Sequence, residues 1–249
     1  MRRTFADILN GAKVDISAEY RSLCTLVFQR YGFYGDMEEC FYLMPFAGTA
    51  CNLEDFNERN DFDFEYGEYP KDLDDLLLFC EYVYNFAVNM NASNDCYSEK
   101  AFGVVRHIET LVDKLGYRFV EDGNLWILVP ANEEIEAAAE VAPPQAGNDL
   151  FRYDYRAYQG DLDGKRKILV SLATALEPHR LQLSEIAKGF TSDYFYLVNN
   201  LNIRHNNVES ADSGKYKEFV AQMPDEELED WYDAVRYMSA AAFLLLEYR

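Results

Sequence analysis

Asp193 to Ser210 reads DYFYLVNNLNIRHNNVES, and two patterns meet in it. Leading into and through its first half, Leu183, Ile186, Ala187, Phe190, Tyr194, Leu197, Val198 and Leu201 recur at steps of three, one and four, the spacing that gathers apolar side chains on one buried helix face. The second half concentrates Asn199, Asn200, Asn202, Arg204, His205, Asn206 and Asn207: a fixed positive charge, an imidazole that titrates near neutrality and several amides. A core helix ending in such a set makes the chain mainly helical and marks where chemistry is to be sought, since these groups suit a phosphate or an RNA backbone. The plainer reading stands beside it. Asparagines are common where helices end because they tolerate left-handed backbone and bond locally, and cations there are favoured by the helix dipole.

Outward from this stretch the carboxy-terminal half is predicted to be a helical bundle. Asp149–Tyr158 reads as a short tyrosine-rich helix and Gly160 as a turn. Asp161 and Asp163 open the next helix, whose buried face is Ile168, Leu169, Leu172, Ala173 and Leu176 and which Pro178 ends. After a polar connection past Pro224, Leu228, Trp231, Val235, Met238, Ala242 and Leu245 repeat at three and four, a seam for packing against neighbouring helices. Residues 149–249 thus form one domain built on four helices.

The amino-terminal part predicts a second helical domain, residues 1–142. Ile16, Tyr20, Leu23, Cys24, Val27, Phe28 and Tyr31 make its first amphipathic helix, broken by Gly32 and Gly35, and Met37–Met44 a short one limited by Pro45. Residues 73–90 and 101–115 carry two dense apolar stripes, the second with His107 at its edge. Asp122-Gly123 then separates two β-prone runs, a hairpin over 117–129. Residues 131–141 are rich in helix formers, and Pro143–Gly147 reads as the linker between the domains. Over residues 60–70, acidic and aromatic side chains alternate. An EF-hand does not fit there, because Tyr66 stands where the glycine is needed and Asp72 where the closing glutamate belongs, so an aromatic-anchored loop is expected.

At 249 residues, with 49% hydrophobic residues, the chain is long and apolar enough for a sizeable core. It has no continuous apolar run of membrane-spanning length and no standard secretion signal. The five cysteines, Cys24, Cys40, Cys51, Cys80 and Cys96, lack C-x-x-C spacing and read as reduced thiols of a cytoplasmic protein, and the three histidines are too scattered for a zinc site. No metal or cofactor is expected. The net charge of −21 falls mostly on the first 148 residues, with 11 basic against 27 acidic side chains; the remainder holds 12 against 17. Such an excess repels duplex DNA at long range but leaves room for a local basic pocket around one phosphate.

The segments YQGDLDGKRKILVSLATALE at 158–177, LVNNLNIRHNN at 197–207 and ELEDWYDAVRYMSAAAFLLLEY at 227–248 resemble, in order and spacing, the HEPN domain of bacterial abortive-infection proteins of the AbiJ-like type. The resemblance covers about 100 residues, and the amino-terminal region looks like the helper domain that precedes such bundles. It implies a metal-independent endoribonuclease active in phage defence, built as a homodimer with the two motifs facing across a two-fold axis. The family motif is an arginine, four to six residues, and a histidine. Arg204 matches the arginine, but His205 follows it directly, in the place of the polar residue, and Glu209, Ser210 and Ala211 occupy the histidine positions. Three readings remain. In one, Arg204 and His205 are catalytic while Asn200, Asn206 and Asn207 orient RNA and Lys165 and Lys167 steer its backbone. In another, the bundle is inactive and serves as a nucleotide- or RNA-binding or assembly module. In the third, Arg204 pairs with Asp193 or Asp233 and tightens the bundle.

Overall fold

The computed structural model describes residues 14–64, 71–93, 98–208 and 214–247. The chain is mainly α-helical with one two-stranded hairpin, and it divides into two compact units, Met1–Leu128 and Val129–Arg249.

In the first unit α1 (Ile16–Phe28) is capped by the Asp15 carboxylate, which accepts from the Ala18 N–H at 3.0 Å. The chain then turns at Gly32, where a Cβ would lie 2.3 Å from the Val27 carbonyl oxygen, so only glycine fits. Gly35 breaks nothing: it lies inside α2 (Phe33–Cys40), which holds the first half of the short helix expected over 37–44, and the remainder is a 3-10 segment, Phe41–Leu43. The helix α3 (Leu53–Arg59) leads to α4 (Leu73–Ala92), which opens on a capping box between Asp72 and Asp75 and buries residues around most of its circumference. Phe64 stacks on Phe79 with centroids 4.7 Å apart, and Phe62 meets Tyr82 edge-on at 5.2 Å. These are the aromatic anchors expected of the alternating stretch, whose residues 65–70 lie outside the described ones. Against α4 packs α5 (Glu99–Lys114), followed by β1 (Tyr117–Asp122) and β2 (Leu125–Pro130) around Gly123 at φ +64°. Asn85 of α4 ties the hairpin down by exchanging two 2.8 Å bonds with the Trp126 backbone.

The cysteine reading needs correction. Cys24, Cys51 and Cys80 are not disulfide-bonded, but Cys40 is, and Cys51 is exposed. An all-thiol chain therefore no longer argues for a reducing compartment. No helix among the described residues is long and apolar enough to cross a membrane.

The second unit begins earlier than the linker expected at 143–147. Pro144 occupies the first position of a helix, where its missing N–H costs nothing, so α6 (Glu133–Val141) and α7 (Pro144–Arg152) are separated only by residues 142–143. At Gly147 the two helices touch: a Cβ there would sit 2.7 Å from the Ala139 carbonyl oxygen. Ile135 and Ala138 of α6 share one core with Leu150 and Tyr153, which places α6 in this unit. The short helix expected over 149–158 is instead the end of α7 plus a 3-10 turn, Arg156–Tyr158. Then comes α8 (Leu162–Leu176), capped by Asp161 onto the Gly164 N–H at 2.9 Å, and a 3-10 turn, Glu177–His179, that contains Pro178.

The single helix read across 183–201 is two. The first, α9 (Arg180–Ile186), and the second, α10 (Lys188–Asn200), meet at Ala187 with φ −145° and ψ 73°. The Ala187 N–H still closes onto Leu183 at 2.8 Å, while its carbonyl already receives the Thr191 N–H and hydroxyl, each at 2.9 Å. One apolar stripe thus bends at a shared cap, leaving Leu183, Tyr194, Phe195 and Val198 buried but Ile186 37% exposed. A short α11 (Glu218–Ala221) precedes α12 (Asp225–Glu247), which packs against α6, α8, α9 and α10 as the spine of the bundle.

Candidate functional site

Past Asn200 the chain leaves α10 in a loop that Leu201 and Ile203 anchor in the core. Asn202 adopts φ +58°, a left-handed conformation that asparagine tolerates better than most residues. Its N–H donates to Asn207 Oδ1 at 2.8 Å, and the Asn207 N–H returns a bond to Asn202 Oδ1 at 3.0 Å. Asn207, 1% exposed, also donates through Nδ2 to the Lys215 carbonyl at 2.6 Å, and its own carbonyl accepts from the Lys217 N–H at 2.8 Å. Arg166 closes the loop from α8 by donating to the Asn202 carbonyl. Between these clamps, on the segment they hold, stand Arg204 and His205.

Both side chains are half-buried. The Arg204 guanidinium, 28% exposed, is bonded to the Glu177 carboxylate at the end of α8. Glu177 also has Arg180 at 3.8 Å, whose guanidinium lies 4.6 Å from the centre of the Phe195 ring. The partner of Arg204 is therefore Glu177, where Asp193 or Asp233 was expected. His205 Nδ1 lies 3.2 Å from the Lys215 ammonium. Partial desolvation, with the charges of Lys215 and Arg204, holds the imidazole below its ordinary pKa, so the ring is neutral at pH 7.

The other expected site residues separate. Asn206 is exposed and accepts from the Val208 N–H at 3.2 Å, and Asn200 donates back to the Tyr196 carbonyl of its own helix at 2.7 Å. Asn207 is a structural clamp, not a ligand group. Lys165 is 7% exposed, bonded to Glu229 at 2.8 Å and Asp233 at 2.9 Å, with its ammonium 4.7 Å from the Tyr153 ring centre. It cannot steer a nucleic acid. A buried ammonium must be paired to stay charged, and the two carboxylates raise its pKa against the desolvation that would lower it. Of the basic run 165–167 only Lys167 is exposed, and it lines a different cleft. Glu209, Ser210 and Ala211 lie outside the described residues.

The residues that join the pair, Lys215 and Glu177, carry no sequence signal of their own. Lys215 lies ten positions on, its carbonyl held by Asn207. Among the described residues no group of three or more His, Cys, Asp or Glu side chains is placed to hold a metal ion. Compared with protein-family models, with curated proteins and with solved structures, the chain matches none.

Proposed function

We propose that the carboxy-terminal unit is a HEPN-like RNA-binding module that holds a backbone phosphate of single-stranded RNA at Arg204, His205 and Lys215, in a bacterial protein of phage defence. The observation that carries this reading is the approach of the Lys215 ammonium to His205 Nδ1 at 3.2 Å with Arg204 as the adjoining residue. Three nitrogen-rich side chains converge, and a phosphate between them would gain charge-assisted bonds. The engagement of Arg204 by Glu177 favours binding over cleavage, because the same guanidinium is then partly neutralised where a pentavalent phosphorus would need its whole charge. The sequence also offers no second histidine at the motif position.

A metal-independent endoribonuclease is the second reading, and one observation favours it. A neutral His205 is the form that accepts a proton from a ribose 2′-hydroxyl. In that case the unit acts as a homodimer, with the second chain supplying the acid. One experiment separates the two: fluorescence anisotropy and gel cleavage of labelled single-stranded RNA in EDTA, with wild type, Arg204→Ala, His205→Ala and Lys215→Ala. Binding that drops at least about tenfold in Lys215→Ala without cleavage by wild type is the expected result, one lost charge-assisted contact being worth about 1.5–3 kcal/mol. Cleavage abolished by His205→Ala would establish the enzyme instead. Neither binding nor cleavage by folded wild type would remove RNA from the account.

A further inference from the structure

Between α1 and α5 lies an open cleft of about 370 Å³, within the range of about 300–1,000 Å³ that small-molecule sites occupy. On α5, Arg106, Thr110 and Lys114 follow one another at steps of four and so stand in one row, while Glu19 lines the cleft from α1. Gly103, His107 and Leu111 make the neighbouring row of α5, with Leu111 as its buried floor.

Two features set this cleft apart from an ordinary helix surface. The first is its charge. The chain around it is acidic, with 11 basic against 27 acidic side chains over residues 1–148, and other cations are spent in ion pairs: Arg59 on Asp55 and Lys100 on Asp36, each at 2.6 Å. Arg106 and Lys114 are both exposed, and neither has a carboxylate within 4 Å among the described residues. The second feature is Gly103. It has helical backbone inside α5, and a Cβ there would meet nothing within 4 Å. Neither a turn of the chain nor packing calls for glycine, which weakens a helix interior. What it leaves is open room beside Arg106 and His107, one turn further along the same face.

The chemistry of the lining selects the ligand. Arg106 and Lys114 only donate, and their Cα atoms lie about 12 Å apart at about 1.5 Å per residue. Two such long side chains can meet over the Thr110 turn midway and grip one tetrahedral anion. The Thr110 hydroxyl already gives its proton to the Arg106 carbonyl at 2.8 Å, which leaves it, like the Glu19 carboxylate, an acceptor. A bare cation is repelled by Arg106 and Lys114, and a long polyanion by the acidic surroundings. What fits is a compact anion that also carries hydroxyl donors. We propose that this cleft binds a phosphate monoester of a small hydroxylated molecule, a sugar phosphate or a nucleoside monophosphate. Its phosphate lies on Arg106 and Lys114, and its hydroxyls donate to Glu19 and Thr110.

The test is isothermal titration of the full chain with adenosine monophosphate, glucose 6-phosphate, adenosine and inorganic phosphate. At least one of the two esters should bind tenfold or more tightly than both adenosine and inorganic phosphate, and the ratio of the esters tells the nucleotide from the sugar phosphate. Arg106→Met and Lys114→Met should each weaken the ester at least tenfold, one charge-assisted contact being lost. Glu19→Gln should weaken the ester and leave inorganic phosphate no weaker. Gly103→Gln fills the cleft with a better helix former, so binding should fall at least tenfold while the thermal midpoint rises. Arg204→Ala should change nothing, which keeps this outcome separate from that of the RNA reading. No heat from either ester on folded protein, adenosine or inorganic phosphate bound as tightly as the esters, or unaltered affinity in Lys114→Met or Gly103→Gln would each overturn the assignment.

Discussion

A lysine ammonium has only protons to give, so its position 3.2 Å from His205 Nδ1 makes that nitrogen the acceptor and puts the proton of the neutral ring on Nε2. A second proton on the ring would have to enter at Nδ1, facing a cation. The pKa is depressed first by desolvation, and the charges of Lys215 and Arg204 add to it. The sign of the pH effect follows. The folded chain holds this proton more weakly than the unfolded one, so stability from this group is fully present above the ordinary value of 6.5 and falls as pH drops below it toward the depressed folded value. In an NMR titration the His205 resonance should therefore shift at a pH below 6.5, and Lys215→Met should move its midpoint upward. Adding single-stranded RNA should also raise it, since a phosphate favours the imidazolium. A midpoint unmoved by Lys215→Met would show that the lysine does not set the charge of the ring. Arg204 and His205 were legible in the sequence as neighbours with suitable chemistry. Glu177 and Lys215 were not, because they lie 27 and 10 residues from their partners and on no shared periodicity.

The element that presents these groups is a loop closed by asparagines, and here the sequence invited the wrong role for a sound reason. Clustered amides serve equally well as ligands for an anion and as local bridges between backbone groups, and only the fold decides. Asn207 bridges the Asn202 N–H and the Lys215 carbonyl from a fully buried position, so it carries both the left-handed turn and the approach of Lys215 to His205. Asn207→Ala should lower the stability of the chain by about 2–3 kcal/mol in urea unfolding, the cost of leaving a donor and an acceptor buried without partners. Asn207→Asp keeps the acceptor but buries a carboxylate oxygen against the Lys215 carbonyl, and should destabilise at least as much as alanine; equal stability of all three would refute the clamp. Periodicity located the apolar faces of α1, α4, α5, α8 and α12 because burial on one face leaves a regular trace. It could not locate the break at Ala187, where one stripe continues across two helices, or the join at 142–143. There a proline that reads as a terminator is in fact the first residue of α7.

At the scale of the whole molecule the proposed RNA contact must work against a net charge of −21. Long-range repulsion lowers the rate of encounter, so binding depends on short-range bonds at one locus and not on an extended basic face. Lys165 shows how little of the sequence's positive charge is available for that purpose, since its ammonium is consumed by Glu229 and Asp233 inside the bundle. A site of two fixed cations and one imidazole displaces at most three counterions from a single strand, the third only if the bound phosphate protonates His205. The slope of log affinity against log salt should then be no steeper than about −2, a loss of roughly 15-fold between 50 and 200 mM. Arg204→Ala should make the slope shallower by less than a full contact, about 0.7, because Glu177 already neutralises part of that charge. Anisotropy titrations at four salt concentrations measure both quantities. A slope steeper than about −4 would require more phosphate contacts than this locus can supply and would place the RNA on a different surface.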